Sequence, residues 1–501
     1  MKKVIILFIL IIVLGCGFSG CLRTLLSPIL GPPHKSAYIP QSVIDERSKN
    51  AQNKQQYDWD GQNLIIHNGV TSIRDGEFSR SSLYPYTAPF SLQIRSVTIS
   101  NSVTSIGMNA FAGGQINRVV IGSGVTYIGE GAFSKNKLIR ISIPDSVIRI
   151  NGSSGNHGAF EDNELSSISI GSRVTHIGEG TFRYNRLTSV SIPDSVVIIG
   201  DGAFESNQLT SVTIPDGVTS IGKNAFRSNQ LINLSIPKSV TSIGSWAFMD
   251  NQLTNVTIPE GITTIENYVF ANNKLVSVII PDGVTGIRNS AFVNNQLASL
   301  TIGSSVTFIG DEAFRNNQLT SLIIPKNVTT IGKQAFRENK ITSVTIPNSV
   351  TAIEEHAFRG NQLTNITIPS GVATIGEAAF AANQLIRVNL PNSVTYIGND
   401  AFNNNRLASA TIPSSVTSIG RGAFAYNPLT SISIPDSIGF LNENVFSGSF
   451  RNVTQITIGA NVNLQGYSDV VWSGFSSFYL LNGNRAGTYT LSNGKWSARF
   501  R

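Results

Sequence analysis

Apolar and polar residues alternate in a pattern that returns every 22 residues along most of the chain. One unit, residues 207–226, reads NQLTSVTIPDGVTSIGKNAF. After Leu209, the apolar Val212 and Ile214 alternate with polar neighbours, which is typical of a short strand with one buried side. Pro215 lacks an N–H and is tolerated only at a strand end. The pattern therefore predicts one short strand at the same place in every unit.

The second half of the unit predicts the remaining sides of a coil. Val218 and Ile221 form a second apolar edge, and Gly222 turns the chain. Ala225–Phe226 predict a short helical or 3₁₀ turn that fills the interior. Together these elements place about six apolar side chains inside each coil. A lone coil cannot cover them, so neighbouring coils must stack.

Phenylalanine marks the length of the repeat array. The series is widened only by two insertions, at residues 79–93 and 151–158. It predicts a β-rich α/β solenoid, a right-handed stack of about 17 coils with parallel strands and short helical or 3₁₀ turns. The seventeen phenylalanines are Phe78, Phe111, Phe133, Phe160, Phe182, Phe204, Phe226, Phe248, Phe270, Phe292, Phe314, Phe336, Phe358, Phe380, Phe402, Phe424 and Phe446.

Asparagine follows three residues after phenylalanine without interruption from Asn163 to Asn427. A buried amide on each coil can bond backbone groups that the strands leave unpaired, and it can stack on its neighbours. We therefore predict a structural ladder rather than a ligand site. Its representative members are Asn185, Asn207, Asn229, Asn251 and Asn317, with Phe204, Phe226 and Phe248 inside the same coils.

The N-terminal residues 1–21 predict an export signal. Lys2 and Lys3 precede eleven apolar residues, too few to span a bilayer as a helix. Cys16 and Cys21 each end a segment typical of a bacterial lipobox, so we predict lipidation of Cys16, with Cys21 as the alternative. A plain secretory signal with two incidental thiols remains open. These are the only cysteines, so the body has neither a disulfide framework nor a zinc site.

Composition divides the rest of the chain into three parts. Residues 22–56 combine prolines with a polar run and predict a flexible tether. Residues 57–458 hold the repeats. Residues 459–501 carry aromatic residues and hairpin punctuation, which predict a cap over the last coil. A ligand-binding or anchoring role for this C-terminal module is the alternative.

The net charge of +7 is not concentrated in the repeats. Lys2 and Lys3 contribute 2, and residues 459–501 contribute 3, since four basic residues there face Asp469 alone. Subtracting both from 7 leaves about +2 for the remainder. A nucleic-acid-binding surface needs a concentrated basic stripe, so the sequence predicts no nucleic-acid partner.

The stretch Leu209 to Phe226 resembles the BspA-like leucine-rich repeat family, whose units run Leu-x-x-Val/Ile-x-Ile-Pro and then Val-Thr-x-Ile-Gly-x-x-Ala-Phe. The resemblance covers about residues 60–458. Members of the family often carry Cys at the position of Asn207. Because this chain has Asn there, it has no cysteine ladder. The resemblance implies surface-exposed proteins that attach to host matrix proteins, other microbes or host cells, and it supplies no catalytic residues.

Polar side chains at the positions of Ser211 and Thr213 are expected to point outward from the strand. They predict a flat hydroxyl-and-amide surface that suits glycans or extended peptides. The alternative, equally open, is that these are merely soluble residues that tolerate β-structure. Candidate ligand-binding residues on this surface are Arg118, Arg140, Ser211, Thr213, Asn233, Asn255 and Arg387.

Tyr84, Tyr86 and Phe90 in the first insertion form a second candidate binding site, because aromatic residues often supply binding energy. An ordinary N-terminal cap is the alternative. Five histidines lie on different coils or outside them, with no spacing suited to a metal or a catalytic triad: His34, His67, His157, His176 and His356.

The sequence thus predicts a non-enzymatic cell-surface lipoprotein with adhesin-like binding of host matrix proteins, glycans or partner cells. The expected partners are an unidentified extracellular protein or glycan and, through the lipid anchor, a membrane of the cell envelope. No cofactor, metal or small-molecule substrate is predicted. The alternative is a structural envelope protein that self-associates without a specific host ligand.

Overall fold

A computed structural model of the chain describes residues 56–79, 93–152, 157–442, 444–449, 452–464 and 470–501. Gln56–Arg501 form one compact unit. The predicted lipidation sites Cys16 and Cys21 lie outside the described residues, as do Tyr84, Tyr86 and Phe90. No helix in the described segments is long and apolar enough to cross a membrane.

One side of the stack is a ladder of short parallel strands, here called the front ladder. Each strand lies within the Leu-x-x-Val-x-Ile segment of its coil, and hydrogen bonds divide the ladder into sheets of two to five strands. Between Ser167–Ser169 and Asn233–Leu234 the ladder continues as a single bridge, Ser191 to Thr213. Numbered along the chain, its strands are β2 (Asn63–Ile66), β4 (Ser96–Ile99), β6 (Arg118–Val120), β8 (Arg140–Ser142), β10 (Ser167–Ser169), β14 (Asn233–Leu234), β16 (Asn255–Val256), β18 (Ser277–Ile279), β20 (Ser299–Thr301), β22 (Ser321–Ile323), β24 (Ser343–Thr345), β26 (Asn365–Thr367), β28 (Arg387–Asn389), β30 (Ser409–Thr411), β32 (Ser431–Ile434) and β33 (Gln455–Ile458).

A second parallel ladder, the back ladder, follows the proline turn of each coil. The turn is closed by a bond such as Val218 N–H to the Pro215 carbonyl, 3.1 Å. Hydrogen bonds join its strands into one eight-stranded and two four-stranded sheets. The strands are β3 (Ser72–Ile73), β5 (Ser105–Ile106), β7 (Tyr127–Ile128), β9 (Arg149–Ile150), β11 (His176–Ile177), β12 (Ile198–Ile199), β13 (Ser220–Ile221), β15 (Ser242–Ile243), β17 (Thr264–Ile265), β19 (Gly286–Ile287), β21 (Phe308–Ile309), β23 (Thr330–Ile331), β25 (Ala352–Ile353), β27 (Thr374–Ile375), β29 (Tyr396–Ile397) and β31 (Ser418–Ile419).

The segment that carries phenylalanine also bonds from coil to coil. Asn224 and Ser228 adopt left-handed backbone conformations, with φ of 54° and 55°. The Phe226 N–H donates to the Ala247 carbonyl of the next coil at 2.8 Å, whereas the Arg227 N–H turns back to Asn224 at 3.0 Å. Alternate N–H groups therefore close local turns and link coils. The predicted helical or 3₁₀ turn is not confirmed, because half of its donors are used between coils.

The core is one continuous apolar column. In a central coil Leu209, Val212, Ile214, Ile221 and Phe226 are all buried. The seventeen phenylalanine rings stack at centroid distances of 5.1–5.8 Å. The intervals between them define about 16 turns, so the count of 17 coils is not confirmed.

Both ends of the described stack are covered by non-repeat elements. At the start, β1 (Tyr57–Trp59) pairs antiparallel with β2, and the Tyr57 ring meets Phe78 edge-on at 5.5 Å. At the other end β34 (Gly487–Ser492) pairs antiparallel with β33 and with β35 (Lys495–Phe500). Helix α1 (Val470–Leu481) is the one helix in the described residues and lies outside the coils. The α component of the expected α/β class is therefore not confirmed.

The C-terminal elements are tied to the last coil by a buried tyrosine. The Tyr479 hydroxyl donates to the Gly459 carbonyl at 2.6 Å and accepts the Val462 N–H at 3.2 Å. Phe475 stacks near it and meets Tyr489 edge-on at 5.4 Å. The module thus closes the front ladder with its own small aromatic core.

Candidate binding surface

The outward side chains of the front ladder form the candidate binding surface. Ser211 and Thr213 are exposed, while Val212 and Ile214 between and beyond them are buried. This alternation follows from the two-residue period of a strand. We define the front face as the residues at the Ser211 position and the Thr213 position of each coil.

Serine, threonine and asparagine dominate the front face. Because side chains of a strand alternate between its two sides, a ligand that approaches the front face meets the exposed side chains of these rows. No Asp or Glu occupies either row in the described coils. The Ser211 row is Asn63, Ser96, Arg118, Arg140, Ser167, Ser189, Ser211, Asn233, Asn255, Ser277, Ser299, Ser321, Ser343, Asn365, Arg387, Ser409, Ser431 and Gln455.

The sequence-predicted residues of the front face are exposed where the structure describes them. Arg118 on β6 and Arg140 on β8 occupy the same position in consecutive coils. Asn233 pairs in register with Asn255. Arg387 lies at the same position on β28, towards the other end. The structure therefore brings Arg118 and Arg140 together and leaves Arg387 apart.

Four exposed apolar residues interrupt the polar front face: Ile65 and Val120 in the early coils, and Ile279 and Ile323 further along. Ile279 and Ile323 occupy the Thr213 position two coils apart and are 69% and 80% exposed. Their outward direction follows from the same alternation that buries their neighbours. Aligning the units by position identifies both as departures from threonine or serine.

Sequence reasoning missed a stacked aromatic pair on the phenylalanine side. Trp246 and Tyr268, 22 residues apart, have ring centroids 5.9 Å apart and nearly parallel planes. Both adopt positive φ, 61° and 55°, which is uncommon for bulky residues. Most other coils place small or polar residues at this position. Alignment of the 22-residue units shows the two aromatic residues at one position of consecutive coils, but it does not show that their rings stack.

An amide ladder also lines a shallow groove. Asn294 donates to Asn272 at 2.8 Å, and Asn316 donates to Asn294 at 2.9 Å. The row begins at Asp250, which accepts from Asn272 at 2.7 Å. A groove of about 490 Å³ lies beside it and is bordered by Gln318. The side chains of this row hydrogen-bond to one another, so they stabilise the turn.

The back ladder has a less polar patch in its early coils. Tyr127, Ile148 and Ile198 are exposed where most other coils carry threonine or serine. Burial and the neighbouring Arg149 together lower the pKa of His176, which lies between them. Thr175 bonds the ring of His176 at 2.8 Å.

A charged row on the phenylalanine side is largely self-paired. Glu161 is almost buried and meets Arg183 at 2.7 Å, and Arg183 also approaches Glu205 at 3.7 Å. Burial raises the pKa of Glu205, and Arg183 and Arg227 act against this rise. The pairing occupies these charges within the fold, so they offer little to a ligand.

Chemistry-bearing residues do not converge in the described coils. His67, His157, His176 and His356 lie on separate coils. Among the described residues, no group of three or more His, Cys, Asp or Glu side chains is placed to hold a metal ion. The front face therefore offers a ligand a long array of weak polar contacts.

Short parallel strands, a coil of 22 residues and a leucine that opens each strand define the leucine-rich-repeat class of solenoid. A profile of the BspA type leucine-rich repeat region matches residues 86–155, 153–275, 242–364 and 351–468. The chain belongs to this BspA type leucine-rich repeat family. A comparison with curated proteins yields no match.

Solved structures with a similar fold are bacterial repeat proteins. A leucine-rich repeat protein from Bacteroides ovatus is 23% identical, with a TM-score of 0.48, over 64% of this chain and 92% of that one. YopM from Yersinia enterocolitica is 15% identical, with a TM-score of 0.40, over 86% and 97%. A leucine-rich repeat protein from Eubacterium ventriosum is 21% identical, with a TM-score of 0.37, over 74% and 91%.

Proposed function

We propose that this chain is an exported, lipid-anchored cell-surface protein that binds an extracellular protein or glycan without catalysis. Adhesin-like binding of host matrix proteins, glycans or partner cells is the form of this activity. The supporting observation is the front face, where exposed hydroxyl, amide and guanidinium groups recur from coil to coil over a filled apolar interior. Such a surface has room for a long ligand held by many weak contacts.

The test is binding of the purified chain to immobilised matrix proteins, to mucin and to partner cells. Saturable binding to at least one is expected. Ser299→Glu with Ser321→Glu should weaken it several-fold, since both serines are exposed on the front face. The matched control, Ser242→Glu with Ser418→Glu on the back ladder, should leave it unchanged. Deleting residues 79–93 should also weaken binding. Saturable binding to none of these targets would contradict the proposal.

A second candidate is a self-associating envelope protein without a host ligand. The exposed Ile279 and Ile323, in one row of the front face, favour it. Analytical ultracentrifugation would then show ordered, concentration-dependent assembly that Ile323→Thr abolishes. A monomer at all concentrations would contradict this candidate.

A further inference from the structure

The early end of the front face concentrates positive charge. Arg118 and Arg140 are exposed in consecutive coils, at the strand spacing of about 4.8 Å. Arg95, in the coil before them, holds Gln115 through its Nη1 at 3.3 Å. Within the described segments, neither Arg118 nor Arg140 takes part in an ion pair. Their guanidinium groups are therefore available to an external anion.

The nearby carboxylate does not neutralise this cluster. Glu164 is already shared by Lys137 at 3.2 Å and Arg186 at 3.1 Å. Lys137 and Arg186 each directly precede the leucine that opens the strand segment of their coil. Asp145, past the end of β8, accepts the Ser172 N–H at 2.7 Å. The early coils thus present more positive than negative charge beside the front face.

The surroundings of the two arginines suit a hydroxylated ligand. Ser167 pairs with Arg140, and Ser96 pairs with Arg118, so a serine follows or precedes each arginine along the row. Val120 and Ile139, 43% and 51% exposed, add small apolar contacts beside them. An added peptide strand would need an open edge, whereas β6 and β8 are each flanked by the strands of the coils before and after them.

We propose that the Arg118–Arg140 end of the front face binds an anionic polysaccharide. Its carboxylate or sulfate groups pair with the two guanidinium groups, whose forked donors match such oxygens. Its hydroxyl groups bond the neighbouring serines. The inference rests on the proposed function, since it names the ligand class of the same surface.

The experiment measures binding of the purified full-length chain to heparin, to hyaluronate, to neutral dextran and to poly-L-glutamate. Wild type should bind heparin or hyaluronate saturably, and added salt should weaken this binding. The double variant Arg118→Gln, Arg140→Gln should lose at least tenfold in affinity. Arg149→Gln, at an exposed arginine of β9 on the back ladder and therefore outside the front face, is the matched control and should bind like wild type. Thermal unfolding of both variants should match wild type, because all three arginines are exposed.

An unchanged affinity of the double variant would overturn the inference. So would equal binding to dextran, and stronger binding to poly-L-glutamate would assign the site to an acidic protein. The proposed function is judged separately. Binding to a matrix protein, mucin or cells with no binding to heparin or hyaluronate overturns only the inference, whereas polysaccharide binding lost in the double variant supports both.

Discussion

The side-chain carbonyl oxygen of Asn207 accepts the backbone N–H of Leu187, in the preceding coil, at 3.1 Å. The amide nitrogen of the same side chain donates to the carbonyls of Phe182 and Phe204 at 2.9 and 3.2 Å. One buried side chain therefore satisfies backbone groups of two coils. Because the arrangement repeats from coil to coil, it couples the strand side of the stack to the phenylalanine side.

Asn251→Asp tests this coupling. Asn251 donates to the Phe226 and Phe248 carbonyls at 3.0 and 3.2 Å and accepts the Leu231 N–H at 3.0 Å. Aspartate cannot donate to the two carbonyls, and its charge is buried against them. We expect the free energy of unfolding in urea to fall by about 3 kcal/mol. Gln252→Asp, on the exposed neighbour, should change it by less than about 0.5 kcal/mol. Equal effects would contradict the ladder.

Phe248→Ala tests the aromatic column. The Phe248 ring lies 5.5 Å from Phe226 and 5.7 Å from Phe270, and it is fully buried. Truncation leaves a cavity that the flanking coils cannot fill, so we expect a loss of about 3–5 kcal/mol in urea denaturation. Phe440→Ala, at a ring that is 56% exposed, is the matched control and should cost under about 1 kcal/mol. A cost for Phe248→Ala as small as that of the control would be the contrary result.

His176 predicts a pH dependence. Burial and Arg149 lower its pKa below 6.5, so the unfolded chain takes up this proton at a higher pH than the folded chain. Neutral His176 therefore makes its full contribution to stability above pH 6.5, and this contribution is lost as the pH falls through the pKa of His176 in the folded chain. Arg149→Gln should raise the pKa of His176, measured by NMR titration. Arg359→Gln should instead raise the pKa of His356, whose pKa burial and Arg359 lower. Movement of both histidines in either variant would refute the assignment.

Lipidation is predicted at Cys16. Radioactive fatty acid should label the wild-type chain and the Cys21→Ala variant in a bacterial host, but not Cys16→Ala. Label lost only in Cys21→Ala would move the anchor to the alternative cysteine. Label retained in both single variants and in the double variant would remove the anchor from the proposal.

Repetition is the reason that the sequence predicts so much of this fold. Each position is sampled many times, so the buried Val212 and the exposed Thr213 can be distinguished by their row rather than by one residue. The strands, the proline turn and the continuous core are confirmed. The helical turn at Phe226 is not, because its sequence does not reveal that alternate N–H groups bond to the next coil.

The candidate surface is only partly accessible to such reasoning. The consensus defines which residues point outward, and Arg118 and Arg140 stand out against it. Their lack of ion-pair partners within the described coils depends on neighbours such as Glu164, which bonds Lys137 and Arg186 instead. Trp246 and Tyr268 were missed because their stacking requires left-handed backbones at both positions.

Deletion of one whole unit tests the central claim most directly. Removing residues 251–272 joins two coils in the same register, so every ladder can close again. This variant should unfold cooperatively, with a melting temperature within about 4 °C of wild type by circular dichroism. Removing only residues 251–261 deletes half a coil and puts the residues that follow out of register with the coils before them. This variant should not unfold cooperatively. If the 22-residue deletion were as damaging as the 11-residue deletion, equivalent coils sharing one core would be the wrong description of this protein.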